Sequence, residues 1–430
     1  MKFFCSLFLL VNCFAGYVCD PCNPCKPDNP CDACCCGPCE EYTPPPPPKD
    51  CAYNAPYIIE TDCCSDFYAY VSFLYWQACE DNLEPAGLHV LINGINGNNP
   101  GQQQNQLLTM DFSFKPAFKV GLGLTFDCDD WEFFAEYTWF HQTPADDTTV
   151  LDPGIPNVTA TSIQAPATFL NPHFSMTLYE FYHPLTSTAS ADFVSPSETV
   201  LKTKWELDLD IFDAQIARSY YVGQCLTFKT HFGLRGLLTD QTVKQSFNGA
   251  TQKTDTFAPS LITDDKFEVD SWAVGPRAGI EAAWLFCKNI SLFTKASASL
   301  LYTDHEVKAF GQSFNAFNAP LPSPRRPENA TPTNVKFPSL HICAIRPDIE
   351  MNIGLCYEGY FNCGRFHYCI KAGYDALAFL SQNVFAKLSI PTNDIVDING
   401  AEVVEPIWFP ETNTGDLFIH GLNITARLDF

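Results

Sequence analysis

The sequence is poor in charge, and above all in positive charge. Lys and Arg together number 25 among 430 residues, against 49 Asp and Glu, which gives a formal net charge of −24. A chain of this sign repels nucleic-acid phosphates, so a general role in binding DNA or RNA is excluded. Charged residues make up 17% of the chain, below the roughly 25% that is typical of soluble globular domains.

Long hydrophobic runs are also missing. Beyond the first residues, no stretch approaches the ~18 uninterrupted apolar positions that indicate a transmembrane helix. This does not exclude a membrane β-barrel, because barrel strands are apolar only at every second position.

No glycine-rich phosphate loop follows a strand and opens a helix. We therefore predict no cofactor.

The N-terminus has the features of a secretory signal. Lys2 supplies the positive charge, Phe3 to Val11 form an apolar stretch, and Cys13-Phe14-Ala15 has a small-x-small cleavage pattern. We predict a signal peptide over 1–15 and export of the rest. Lipidation at Cys13 is a weaker alternative, because Asn12 is unfavourable just before a lipidated cysteine.

Cysteine and proline are concentrated in the segment that follows. Of the 21 cysteines, 11 lie between Gly16 and Cys64. Export places these thiols in an oxidising compartment, so disulfides are expected. A zinc cluster is the alternative, since Cys-x-x-Cys spacings occur here. The prolines at 44–48 predict a polyproline II spacer of roughly 15 Å. Residues 16–64 thus form a predicted Cys/Pro-rich arm.

From residue 66 onward the hydrophobic pattern has a period of two. Within 112–127 every second residue, from Phe112 to Phe126, is apolar, and the intervening positions are small, polar or charged. This alternation is far longer than the typical 5–6 residues of a soluble strand. It suits a tilted strand that crosses a bilayer, which needs ~9–11 residues. Similar alternation recurs at 131–139, 226–239, 272–284, 346–355 and 366–375.

The pattern and its spacing predict a transmembrane barrel. The predicted strands lie at 66–80, 110–127, 131–143, 199–218, 225–241, 266–286, 290–306, 341–358, 365–381 and 415–430. Their gaps alternate between long and short, as do the extracellular loops and periplasmic turns of outer-membrane barrels. We predict an all-β fold, an antiparallel up-and-down barrel of ten strands over 65–430, with both termini and the arm in the periplasm. Extra hairpins in the long gaps would raise the strand number to twelve or more.

The last strand alternates up to Phe430, and a terminal aromatic residue resembles the signal that the outer-membrane assembly machinery recognises. The strand segments as a set resemble the Legionella-type major outer membrane proteins and their relatives in chlamydia-related bacteria over residues 65–430. The matching segments are Asp66 to Ala78, WEFFAEYTWF (131–140), LTFKTHFGLRG (226–236), WAVGPRAGIEAAW (272–284) and GDLFIHGLNITARLDF (415–430). The resemblance implies a pore-forming protein that is abundant and often disulfide-linked in the envelope. The Cys/Pro-rich arm lies outside it.

Charged side chains that alternate with the apolar face are predicted to line the lumen. Opposed charges at a constriction would screen solutes by size and charge, whereas packed salt bridges would plug a narrow barrel. The sequence leaves both states open. The predicted pore-lining residues are Lys115, Lys119, Glu132, Glu136, Glu206, Asp208, Lys229, Arg235, Arg277, Glu281, Lys295, Arg346, Asp348, Glu350, Lys371, Asp375 and Arg427.

Several barrel cysteines fall in or beside predicted short turns and would share the periplasm with the arm. We predict disulfides that join the barrel to its own arm, to sister subunits or to other Cys-rich envelope proteins. The candidates are Cys19, Cys22, Cys25, Cys31, Cys34, Cys35, Cys36, Cys39, Cys51, Cys63, Cys64, Cys128, Cys225, Cys287, Cys356 and Cys363. Cys79 and Cys343 are predicted near the outer rim.

A catalytic role is not predicted. The nearest candidate is Asp304-His305-Glu306, but adjacent strand residues point to opposite faces, so they are solvated polar groups rather than a base with its partner.

We predict a porin-like protein of the outer membrane that gives passive diffusion of small hydrophilic solutes, with membrane lipid as a further partner. The alternative is a non-conducting structural or adhesive barrel with acidic host-facing loops at 144–198 and 382–414.

Overall fold

Ten antiparallel strands form a closed barrel, in which each strand pairs with its neighbours along the chain and the last strand pairs with the first. This confirms the predicted all-β architecture. The barrel strands are β1 (Phe67–Glu80), β2 (Lys115–Phe126), β3 (Trp131–Leu151), β4 (Thr199–Tyr221), β5 (Leu226–Ala250), β6 (Ser260–Cys287), β7 (Ile290–Asn315), β8 (Thr333–Phe361), β9 (Phe366–Asn383) and β10 (Gly415–Asp429).

The structure is a computed structural model, and the part of the chain that it describes is mostly the barrel. Among these residues, no helix is long and apolar enough to cross a membrane. The predicted signal peptide and most of the predicted arm lie outside the described part. The described residues are 56–57, 59, 61, 67–81, 83, 86–92, 102–107, 110–126, 131–151, 167–172, 199–223, 225–250, 260–287, 289–315, 333–362, 365–389, 394–398, 401–405, 409–412 and 414–430.

The strands are tilted relative to the barrel axis. Following the strand pairing once around the barrel from Tyr68 leads back to β1 at Glu80, twelve residues further along. A stagger of this size across ten strands corresponds to a tilt of roughly 40°. The ring closes through paired backbone hydrogen bonds between Phe67 and Phe430, with N···O distances of 3.2 and 2.9 Å.

The long gaps contain short strands that do not join the barrel. Ala86–Ile92 pairs with Gln102–Leu107 and with Ala167–Pro172. Two further hairpins join Ala386–Ser389 to Phe409–Thr412 and Asp394–Ile398 to Ala401–Glu405. Within the described residues, the barrel therefore keeps ten strands and gains none from the gaps.

An apolar band surrounds the barrel on its outer face. On β5 it runs from Phe228 to Leu238, where the outward side chains are mainly Phe and Leu. At ~3.3 Å per residue and the tilt given above, this stretch spans about 25 Å, the height of the lipid-facing band of an outer-membrane barrel. Aromatic residues mark its edges, with Trp272 and Tyr302 exposed at the loop end and Trp284 exposed at the turn end.

Beyond this band the outward face of the strands becomes polar and the inward face becomes apolar. The outward positions of β5 and β6 become charged, as at Asp240 and Asp270, while inward positions such as Val243 and Val269 are apolar and buried. Strands β4 to β8 continue in this way to lengths of 23 to 29 residues. The barrel therefore extends past the lipid on its loop side, with a largely buried interior and a water-facing exterior.

Candidate functional site

Nearly all of the charged residues predicted to line the lumen face the interior of the barrel. The exceptions are Glu206 and Asp208, for which the prediction was wrong. They point outward on β4, because Leu207 and Leu209 occupy the inward positions between them and are fully buried. The inward set is Lys115, Lys119, Glu132, Glu136, Lys229, Arg235, Arg277, Glu281, Lys295, Arg346, Asp348, Glu350, Lys371, Asp375 and Arg427.

Arg235 is the centre of an ion-pair network in the middle of the barrel. Its Nε and Nη2 donate to the two oxygens of Asp213, at 2.8 and 2.7 Å. Its Nη1 and Nη2 also donate to Asp348 and Glu350 on β8, three strands further around the ring, both at 2.7 Å. Arg235 is 1% exposed, so these contacts cross the lumen without water between them.

Three further cations complete this central network. Arg277 Nη2 donates to Glu350 Oε2 at 2.5 Å. Lys295 Nζ lies 3.5 Å from the other oxygen of that carboxylate, and Lys119 Nζ lies 3.1 Å from Glu136. Four cations thus meet four anions, since Asp213 and Asp348 complete the set. The network is close to neutral although the chain as a whole carries −24.

A second layer of ion pairs lies between this network and the inner mouth, the end of the barrel that carries the short turns. Each cation there also lies against an aromatic ring, which adds a cation–π contact. The pairs are Lys229 with Glu132 at 2.6 Å, Lys371 with Glu281 at 2.6 Å and Arg427 with Asp429 at 2.6 Å. The corresponding rings are those of Phe134, Phe293 and Tyr68.

Two cavities of about 120 Å³ each occupy this inner half of the lumen. Both are lined by Lys229, Glu281 and Arg427, and each has room and polar partners for several waters. Tyr57, just before the barrel, lies across the inner mouth. Its backbone N donates to Ser219 O at 3.1 Å, and its hydroxyl lies 3.4 Å from Glu358 Oε1.

The outer half of the lumen contains a cluster of apolar side chains, a feature that sequence reasoning missed. The members come from strands around most of the ring and are at most 3% exposed, so they are shielded from solvent. We call this set the apolar plug. Its members include Trp76, Ala78, Ala117, Phe140, Leu209, Ile211, Leu237, Leu301, Leu377, Leu417 and Ile419.

The residues weighed as a catalytic group lie beyond the apolar band and do not converge. His305 was expected to be solvated, but this was wrong: it is buried inside the barrel, and its Nδ1 lies 2.6 Å from Ser271 Oγ. Asp304 and Glu306 point to the other face, as strand geometry requires. Burial, followed by the nearby Arg346, lowers the pKa of His305 to about 4, so this imidazole is neutral at physiological pH.

The cysteines of the barrel occupy three kinds of position. Cys225 is exposed at a short turn, as predicted, and Cys343 is exposed on the outer face beyond the apolar band. Cys356 was predicted to be available beside a turn, but it is buried inside the barrel next to Cys369, which sequence reasoning did not single out. The side chain of Cys287 and the other candidates, Cys128, Cys363 and those of the arm, lie outside what the structure describes.

The closed ring, the lipid-facing band and the alternation of short turns with long loops define an outer-membrane β-barrel. The family model described as "Legionella pneumophila major outer membrane protein precursor" matches residues 62–430. The chain belongs to this family, which confirms the resemblance of the strand segments and the location in the bacterial outer membrane.

Comparisons with solved structures give other outer-membrane barrels at low identity. The outer-membrane protease OmpT of Escherichia coli is 8% identical, with 85% of this chain and 96% of that chain covered and a TM-score of 0.28. A FadL homologue of Pseudomonas aeruginosa is 7% identical, with 85% and 90% covered and a TM-score of 0.21. A comparison with curated sequences gives no match.

Proposed function

We propose that this protein is a structural and surface-exposed barrel of the outer membrane whose resting lumen is closed to hydrophilic solutes. The observation that carries the proposal is the apolar plug. Trp76, Phe140 and Leu209 come from three separate strands, point into the lumen and are at most 1% exposed. A hydrated ion that entered this region would lose its water to a wall of hydrocarbon, which is strongly unfavourable.

The central ion-pair network supports the same function. A diffusion pore presents charged side chains to water, but Arg235 and Glu350 here present theirs to each other across the lumen. Opening a path would require separation of several charge-assisted hydrogen bonds at once. The network therefore links strands β2 to β8 through the interior of the barrel and supports a role as a rigid envelope component.

A porin-like function is the second candidate and stays a prediction. It is favoured by the inner half of the lumen, where balanced cations and anions line cavities large enough for several waters. Passive diffusion through this barrel needs a conformation in which the apolar plug has moved aside. The two candidates thus differ in whether the plug is a permanent closure or a gate.

Planar-bilayer recording separates these candidates. We expect the refolded wild-type protein to give no stepwise conductance. A variant in which Trp76→Ala and Phe140→Ala open the apolar plug and Arg235→Met opens the ion-pair network should give small steps. The matched control is Trp272→Ala, which removes an equally large ring from the lipid-facing surface. Heat-modifiable migration on gels establishes that each protein is folded. Stepwise conductance by the wild type would refute the closed lumen and support the porin.

We also propose a contribution of disulfides to the envelope. Cys225 is exposed at a short turn, on the side where the arm is predicted, so it is the described cysteine best placed to join another chain. Non-reducing gels of native envelopes should show oligomers that collapse with reductant, and C225S should weaken them. Unchanged oligomers in C225S would exclude this residue, and monomers in both proteins would remove the proposal.

We also propose that the protein has no catalytic activity. What supports it is the arrangement around His305, whose sequence neighbours Asp304 and Glu306 point away from it. Incubation of the folded protein with a mixed peptide library and with lipid esters should leave both uncleaved. Cleavage that is lost in H305A would contradict this.

A further inference from the structure

Two thiols and a carboxylate converge at the inner mouth of the barrel, and an imidazole lies beside the carboxylate. The Sγ atoms of Cys356 and Cys369 and a carboxylate oxygen of Glu358 all lie within 4.8 Å of one another. His367 Nε2 lies 4.0 Å from Glu358 Oε2. All four side chains face inward from the paired strands β8 and β9. The function proposed above assigns no role to this group.

We propose that this group is a binding site for Zn²⁺ or a similar thiophilic divalent cation. Two thiolates, one imidazole and one carboxylate are the ligand types that zinc takes in a four-coordinate site. Zinc–ligand bonds of about 2.0–2.3 Å place neighbouring donors roughly 3.3–3.8 Å apart. Cys356 Sγ and Glu358 Oε2 already lie 4.0 Å apart, so small side-chain rotations bring the donors to a bound ion.

Side chains around the site already hold its imidazole and its carboxylate in place. Asp429 Oδ2 lies 2.8 Å from His367 Nδ1, which leaves Nε2 on the side of Glu358, and this carboxylate–histidine arrangement is the usual support of a zinc-bound imidazole. Asp429 Oδ1 in turn accepts hydrogen bonds from Arg427 at 2.8 and 2.6 Å. The Tyr57 hydroxyl contacts the other oxygen of Glu358. These contacts order the ligands before any ion arrives.

The simplest competing state is a disulfide between the two cysteines. Cys356 lies opposite Lys371, and Cys369 lies opposite Glu358, so the cysteines are diagonal neighbours. Their Sγ atoms lie within 4.8 Å of each other, so the test has to separate a bound ion from this disulfide. The neighbouring Lys371 and Arg427 offset the negative charge of two thiolates and a carboxylate around a divalent ion.

The test is the zinc content of the refolded full-length protein after dialysis against ZnCl₂. We expect C356S and C369S each to bind one Zn²⁺ per chain fewer than the wild type, and E358Q to bind that ion at least ten-fold more weakly. The matched control is C225S, which removes an exposed thiol at a turn and should leave zinc binding unchanged. Zinc held by arm cysteines is common to all variants, so it cancels in the difference.

Replacement of zinc by Co²⁺ gives an independent readout. The thiolate-to-cobalt absorption of the wild type should decrease in C369S and shift in H367Q, which keeps both thiols. If the cysteine variants fail to show heat-modifiable migration, E358Q and H367Q carry the test. Equal metal content in all variants, or a Cys356–Cys369 disulfide found by peptide mass analysis of the native protein, would overturn the proposal.

Discussion

Replacement of Arg235 by methionine tests the idea that the central ion-pair network braces the barrel. The guanidinium makes four hydrogen bonds of 2.7–2.8 Å to three carboxylates and is buried with them. Without it, Asp213 and Asp348 lose their closest cation inside a region with little water. Breaking a buried pair by removing one partner costs about 3–5 kcal/mol, because the remaining charge is uncompensated.

The assay is urea unfolding in phospholipid vesicles, followed by tryptophan fluorescence. R235M should lower the free energy of unfolding by about 3–5 kcal/mol, and adding D213N to it should recover part of that loss. The control is K244M. Lys244 also makes two hydrogen bonds, both 3.0 Å long, to Glu206, but this pair is exposed and should contribute about 0–1 kcal/mol. Equal effects of R235M and K244M, or a stabilised R235M protein, would refute the reasoning.

Three further predictions follow from the geometry. G275A should lower the free energy of unfolding by about 1–3 kcal/mol, because a Cβ at Gly275 would lie 2.0 Å from Leu300 O. The control G236A should be nearly neutral, because the atom closest to a Cβ at Gly236 is Phe212 Cβ at 3.8 Å. Burial and then the neighbouring carboxylates, Asp270 foremost, raise the pKa of Asp240. The folded state therefore binds the proton of Asp240 more tightly than the unfolded state does. The free energy of unfolding thus falls as pH rises from the ordinary aspartate pKa of about 3.9 through the raised pKa of the folded state. D240N should flatten this part of the urea-midpoint profile and stabilise the barrel at neutral pH, and an unchanged profile would exclude the effect. Finally, a membrane-impermeant maleimide should label Cys343 on intact cells but reach Cys225 only after permeabilisation; the reverse pattern would invert the topology.

The alternation of side chains predicted the fold well because it is a local property of each strand. All ten strands were located, and β1 and β9 were placed to within two residues at each end. On β5 the prediction ended at residue 241, while the strand continues to Ala250. The reason is physical: past Leu238 the apolar residues pass from the outer to the inner face, so a search for one continuous lipid-facing stripe stops at the membrane boundary.

The interior was harder to predict, because it depends on which residues meet across the lumen. The sequence indicated that Arg235 and Glu350 face inward, but their contact joins positions 115 residues apart. The outward position of Asp208 was missed for a related reason. On β4 the charges were assumed to face water in the lumen, but there the water lies outside and Leu209 faces a dry interior.

Cys369 illustrates the same limit at the inner mouth. It is one of 21 cysteines, and its spacing from the others forms no metal-ligand or disulfide motif. Only the register of β8 against β9 brings it beside Cys356 and Glu358. A prediction based on spacing would have required the pairing of the two strands in advance.

The extension of the barrel past the lipid has a consequence for how the cell surface is displayed. On β5 twelve residues separate Leu238 from Ala250, which raises the strand tip about 30 Å above the hydrocarbon at the observed tilt. The paired strand ends, Ala250 on β5 and Ser260 on β6, therefore stand well above the membrane surface, at a height that the sugar chains of surface glycolipids would reach. Substitutions on the outer face of this extension are therefore not constrained by contact with lipid, unlike those in the apolar band below.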